Sequence, residues 1–159
     1  MTSPEPPSPS ASEPSGGWFE GRTHVFPVRV YYEDTDFSGV VYHANYLRFM
    51  ERGRSEFLRI SGAGHQGMLE SPEPLVWAVR RMNVDFRKPA RMEEALTVRT
   101  NVLELAGARM RLAQAVLRGE TPLVTAEVEV CIITLDGRPR RVPDSTRRKL
   151  ELFLENRID

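Results

Sequence analysis

The spacing of apolar residues changes period once and then changes back, and this constrains the fold more than any other property of the chain. From Val25 the period is two: Phe26, Val28, Val30 and Tyr32 fall on one side, Arg29, Tyr31 and Glu33 on the other. That is the alternation of a half-buried strand. After it, Tyr46, Met50, Gly53, Phe57 and Ile60 recur at three and four, while Arg48, Glu51, Arg52, Arg54 and Glu56 fill other faces. The spacing predicts an amphipathic helix over about residues 44–60, roughly 25 Å long, stopped by Ser61-Gly62 and Gly64.

Alternation then returns in four runs. In the first, Val76, Ala78, Met82, Val84 and Phe86 alternate with Trp77, Val79, Arg81, Asn83 and Asp85. The others are Leu96–Leu105, Arg109–Arg118 and Leu123–Leu135, divided by Ala106-Gly107-Ala108 and Gly119-Glu120-Thr121-Pro122. Breaks this short join antiparallel neighbours. Residues 67–74 read as an irregular connection, and Pro143-Asp144-Ser145 as the start of a short helix carrying Leu150, Phe153 and Leu154. Strand, long helix, four strands and short helix give an α+β pattern, with one helix filling one face of an antiparallel sheet of about five strands.

Composition narrows the class. A length of 159 residues suits one domain. Residues 1–17 are almost all Pro, Ser, Glu, Thr, Ala and Gly, too polar to offset their ordering entropy. Residues 1–22 are therefore expected to be a disordered tail and residues 23–159 the folded domain. Twenty-two Lys and Arg balance 22 Asp and Glu, with 40% apolar residues; neither a nucleic-acid footprint nor a disordered acidic chain has that profile. Cys131 is the single cysteine. It lies in the apolar run VEVCIITL, reads as core packing and leaves no disulfide, which fits a reducing compartment. No Cys/His cluster has metal-ligand spacing, so neither metal nor cofactor is expected. No stretch approaches the roughly 18 apolar residues of a membrane span, and the N-terminus has no secretory pattern. A cytoplasmic location is the expectation.

Candidate chemistry sits in DTDFSGVVYHAN, residues 34–45. Asp34, Asp36, Ser38 and Gly39 match the first positions of a calcium loop, but Asn45 stands where the bidentate Glu is needed and a strand replaces the entering helix. A phosphoryl-transfer Asp-x-Asp needs further carboxylates and a lysine; Glu93-Glu94 is the one later acidic pair and lies in a loop-like segment. A third reading uses the whole stretch. A strand ends near Tyr32, the Asp36 carboxylate follows, Gly39 permits close backbone approach, and His43 opens a helix. A helix N-terminus carries unpaired N–H groups and partial positive charge suited to a developing oxyanion. That makes acyl transfer plausible, against the plain alternative that Asp34 and Asp36 are turn or capping residues and His43 packs at the helix start.

The longer string VRVYYEDTDFSGVVYHANYLRFMERGRSEFLR, residues 28–59, resembles the hotdog-fold acyl-CoA thioesterases of the 4-hydroxybenzoyl-CoA thioesterase type. Within them it is most similar to the bacterial branch associated with the Tol-Pal envelope system. Tyr32, Asp36, His43 and Tyr46 fall in the register of the family pattern, as does Gly-Val-Val-Tyr-His, which adds Gly39, Val40 and Tyr42 as substrate-side residues. A second matching block is VDFRKPARMEE, residues 84–94, where Arg87, Lys88 and Arg91 are candidates for the phosphates of coenzyme A.

The resemblance covers about residues 24–155. It implies a curved antiparallel sheet wrapped around the long helix, with subunits paired edge to edge as homodimers or homotetramers and the active site between two subunits. It also implies Asp36 as nucleophile or general base, with His43 and Tyr32 in support, acting on acyl-CoA or on acyl carried by acyl carrier protein. The rivals are a non-catalytic hotdog scaffold that binds acyl chains or envelope machinery, and a dehydratase-type hotdog, whose signature is absent. Arg138, Arg140, Arg141, Arg147, Arg148 and Lys149 form a second basic cluster that reads as solvated surface or as a site for an anionic partner. Trp77 reads as packing beside the acyl tunnel, Trp18 marks the tail boundary, and His24 and His65 read as structural.

Overall fold

The computed structural model describes residues 13–155. In chain order it contains β1 (Trp18–Glu20), β2 (Thr23–Arg29), a 3-10 turn (Tyr32–Asp34), α1 (His43–Ile60), α2 (His65–Leu69), β3 (Leu75–Phe86), β4 (Ala95–Ala106), β5 (Arg109–Arg118), β6 (Thr121–Thr134) and α3 (Asp144–Glu151). The strands form one antiparallel sheet in the order β1-β2-β4-β5-β6-β3.

The sheet has six strands where about five were expected. The extra one, β1, lies inside the stretch read as tail. It pairs Trp18 with Val25 and Phe19 with His24, because Phe19 supplies an apolar anchor that the polar residues before it lack. The Phe19 ring stacks on Phe153 at 4.7 Å and lies 6.2 Å from Phe57. His24 Nε2 meets the Gly16 carbonyl at 2.8 Å. The packed domain thus begins ahead of residue 23; residues 1–12 of the expected tail lie outside the described residues.

The long helix fills the inner face of the sheet, where Phe49, Met50 and Phe57 are fully buried, each stabilising the fold by about 1.5–3 kcal/mol relative to exposure. Gly53 sets how near the helix comes. A Cβ built there would lie 2.8 Å from Val98 Cγ1 on β4, inside van der Waals contact. A buried polar network, which periodicity alone does not reveal, ties the same region together. Gln114 Nε2 donates to Met50 O at 3.0 Å and Thr100 Oγ1 at 2.9 Å, while Arg54 Nη1 donates to Gln114 Oε1 at 2.9 Å.

Strand β3 differs from simple alternation. Leu75 and Trp77 face inward at its start, but Met82 and Val84 pack on the core at its end. A register shift between Val79 and Arg81 reverses the faces, as a β-bulge does by adding one unpaired residue. The expected irregular stretch 67–74 also gains a turn of helix, α2, at its start.

Because β3 is an edge strand and β4 lies three strands inward, the 87–94 connection crosses the ends of β6 and β5. Its hydrogen bonds trace the crossing. Arg87 and Lys88 N–H donate to Leu123 O on β6 at 2.8 and 3.0 Å. Arg118 on β5 donates to Pro89 O at 3.3 Å and pairs with Glu94 at 3.0 Å. Beyond β2, Glu93 N–H donates to Val30 O at 2.9 Å and Val30 N–H to Glu94 O at 3.0 Å. This crossing places the second sequence block against the acidic loop.

Candidate active site

Residues 31–42 form a loop whose two arms pair at Thr35 and Val41. Asp34 holds its base. That residue is buried, its Oδ2 accepts Tyr31 N–H at 2.8 Å, and its carbonyl accepts Tyr42 N–H at 3.0 Å and Asn45 Nδ2 at 2.9 Å. The first carboxylate of the motif is therefore engaged with the loop's own backbone, which is what the calcium-like spacing serves.

Asp36 sits at the exposed tip. Its N–H donates to Val40 O and its carbonyl accepts Gly39 N–H, both at 2.9 Å. This tight turn requires the left-handed backbone of Gly39, φ 78°, a region that glycine adopts without strain. The Asp36 Oδ1 accepts the Ser38 N–H at 2.8 Å and the Ser38 hydroxyl. Among the described residues nothing donates to Oδ2. The Ser38 hydroxyl, then the Ser38 N–H, hold the carboxyl below its ordinary value, and His43 adds to this while burial opposes it. One oxygen is thus fixed and the other is an ionised, unoccupied edge.

Helix α1 starts at His43 beside this turn. No side chain caps it and no acidic residue lies in its first turn, so its partial positive charge and first N–H groups are left for a ligand. The His43 ring lies 4.5 Å from Tyr42 and 6.1 Å, edge-on, from Phe86. Phe86 also lies 6.1 Å from Tyr46, so an aromatic row runs from the helix start to the end of β3.

The second block is tied in by Tyr46 and Ala90. Ala90 N–H donates to the buried Tyr46 hydroxyl at 2.8 Å, Ala90 O accepts Val41 N–H at 2.9 Å, and Val40 pairs with Arg91. Burial is the main cause that raises the Tyr46 phenol above its ordinary value, which keeps it a neutral anchor.

The structure brings Asp36, Gly39, Val40, Tyr42, His43 and the Arg91 backbone together. It does not join the Tyr32 phenol to them: Tyr32 lies 81% exposed in the 3-10 turn, and among the described residues the Asp36 carboxylate takes its hydrogen bonds from Ser38 alone. Arg87 is on the same crossing, exposed and paired with Asp85 at 3.1 Å, and Lys88 is exposed beside it.

Sequence reasoning missed Ser38, Phe86 and the Arg118–Glu94 pair. Ser38 was visible as an Asx-turn partner two residues after Asp36, whereas the other two depend on the crossing. The C-terminal basic cluster is largely partnered within the chain: Arg138 with Asp136 at 3.1 Å, Arg140 with Glu73 at 2.8 Å, and Lys149 with Gly62 O at 3.1 Å. Among the described residues no group of three His, Cys, Asp or Glu could hold a metal, and no helix is long and apolar enough to cross a membrane.

An antiparallel sheet closed over one long helix, with an acidic turn at the helix start, is the hotdog α+β architecture. Residues 30–150 match the model of the Thioesterase-like superfamily, and the chain belongs to that family. It is similar to the acyl-CoA thioester hydrolase YbgC of Escherichia coli O157:H7, with 40% identity over 122 residues, 76% of this chain and 90% of the relative. The acyl-CoA thioesterase YbgC of Haemophilus influenzae is 43% identical over 110 residues, 69% of this chain and 80% of the relative. Among solved structures, a probable thioesterase from Bartonella henselae is 49% identical with a TM-score of 0.74, covering 76% of this chain and 99% of that one.

Proposed function

We infer that the chain hydrolyses acyl-CoA thioesters to the free acid and coenzyme A. The observation that carries this reading is the Asp36 carboxylate, ionised by Ser38 with Oδ2 unoccupied, beside the uncapped start of α1. The activities that the YbgC relatives are named for support it.

In this reading Asp36 Oδ2 attacks the thioester carbonyl, and N–H groups at the start of α1 stabilise the oxyanion, each well-placed donor lowering the barrier by about 3–4 kcal/mol. The C–S bond breaks, coenzyme A leaves as thiolate, and water cleaves the acyl–Asp36 anhydride to restore the carboxylate. The alternative route has Asp36 orient the attacking water. Both routes use the same ionised carboxylate, which the Ser38 hydrogen bonds favour. His43 stabilises charge at the carbonyl, Tyr42, Gly39 and Val40 shape the approach, and Arg87, Lys88 and Arg91 meet the coenzyme A phosphates. Tyr32, exposed in the 3-10 turn, donates a hydrogen bond in support.

A second copy fits the same proposal. The outer edge of β3 presents 12 residues of strand with no neighbouring strand among the described residues, and a long unpaired edge is a template for another strand. The Phe37 ring at the tip of the acidic loop is fully exposed, as suits a residue that a partner or substrate covers. A homodimer or homotetramer with the site between subunits follows, with cytoplasmic acyl-CoA or acyl carrier protein as the acyl source.

The test is thiol release from a panel of acyl-CoAs and acyl carrier protein conjugates, varied in chain length and aromaticity. Turnover of at least one series is the expected result. Binding of acyl chains with no thiol released from any of them would make the chain a scaffold instead.

A further inference from the structure

The helix face that begins at His43 ends at a small cavity with both polar and apolar walls, the latter including Val79, Met110, Leu112 and Val130. His43, Leu47, Glu51, Arg54 and Leu58 follow at spacings of four, four, three and four, so they share one side of α1. On β3, Phe86 stands against His43 at one end, and Trp77 lies toward the other. There a cavity of about 60 Å³ opens between the two elements, with Glu51, Arg54, Ser55, Leu58, His65 and Trp77 among its walls.

Among the described residues, one of these walls carries a donor without an acceptor and another a buried cation without a counter-ion. Trp77 is 9% exposed, and its indole N–H is buried without an acceptor among the described residues, although a buried indole N–H usually finds one. Arg54 is 6% exposed, and its hydrogen bond goes to the neutral Gln114. Buried charges are normally paired, yet among the described residues no carboxylate lies within ion-pair distance of Arg54. Glu51 acts on it only through space.

Size decides what could fill the gap. An apolar cavity of about 150 Å³ admits a benzene ring; one of about 60 Å³ with donors in its walls suits a small oxygen-bearing group. From His43 the helix rises about 12 Å to Glu51 and about 16 Å to Arg54, the span of an extended chain of medium length.

We propose that this cavity receives the far end of the acyl group and selects chains that end in an oxygen acceptor, a carboxylate before a hydroxyl. Trp77 and Arg54 are the specificity-determining donors. The inference rests on the thioesterase reading of the acidic loop and deepens it, since it names the acyl class.

The test compares straight-chain acyl-CoAs of equal, medium length that end in methyl, hydroxyl or carboxylate. The wild-type chain should favour the oxygenated ends by at least about tenfold in kcat/KM. Arg54→Met disturbs the Gln114 network and is prone to misfold, so Trp77→Phe carries the decision: it should narrow the preference several-fold. Equal kcat/KM across the series, or a preference that Trp77→Phe leaves unchanged, overturns the proposal and leaves a cavity that holds ordered water. If no acyl-CoA is cleaved, the thioesterase reading fails, and calorimetry with the free acids decides the cavity separately. Tighter binding of the dicarboxylic acid, weakened in Trp77→Phe, upholds it; affinity equal to that of the monocarboxylic acid overturns it.

Discussion

Asp34 and Asp36 are two residues apart and chemically alike, and their surroundings give them opposite work. Asp34 is buried with its carboxylate on Tyr31 N–H, so it fixes the loop. Asp36 is exposed, with one oxygen on Ser38 and the other unoccupied. The Ser38 hydroxyl is the largest cause of its lowered pKa, which yields a prediction about pH. Activity that needs ionised Asp36 falls as pH drops through its pKa. Ser38→Ala removes the hydroxyl and keeps the backbone N–H, so that pKa moves up toward the ordinary 3.8. The acid limb of the kcat/KM profile should shift to higher pH. An unmoved limb would mean that a group other than Asp36 controls it.

At the scale of elements, Gly53 separates two expectations. As a residue of an interior helical turn, Gly→Ala should stabilise by roughly 1 kcal/mol. The added Cβ, however, meets Val98 Cγ1 at 2.8 Å, and valine is stiff at χ1, so overpacking costs about 1–3 kcal/mol. The second effect is larger, and Gly53→Ala should lower the chemical-denaturation midpoint; a raised midpoint would show that α1 is free to move off β4. The helix and the four later strands were legible because their periods are long and clean. Three features were not. The strand β1 is three residues in a polar stretch, recognisable only through what Phe19 stacks on. The bulge in β3 exchanges its faces where Val76 and Ala78 had seemed to continue into Met82. Arg54 sat among charges assigned to the helix's other faces, yet it is buried against Gln114, a tertiary contact that no local pattern carries. The site divides likewise: Asp36, Gly39 and His43 were readable from one contiguous stretch, whereas Ala90 on Tyr46 exists only because the 87–94 crossing passes the helix start.

For the molecule as a whole, the N-terminal segment and the site loop are joined through β2, and His24 is a point where pH can loosen that frame. It is fully buried, bonds Gly16 O through Nε2 and has no partner for Nδ1 among the described residues. Burial pushes its pKa below the ordinary 6.5. The unfolded chain therefore takes up the proton first, and stability present above pH 6.5 is lost as pH falls through the lower folded value. Denaturant titrations should show wild type losing stability below about pH 6.5 more steeply than His24→Gln; parallel losses would assign the effect to other groups. The central claim, that catalysis runs through Asp36, is tested most directly by thiol release from Asp36→Asn, with coenzyme A binding measured calorimetrically on the same sample. The account predicts unchanged folding and coenzyme A affinity with turnover reduced by about a hundredfold or more. Turnover within a few-fold of wild type, in a folded protein that still binds coenzyme A, would contradict it.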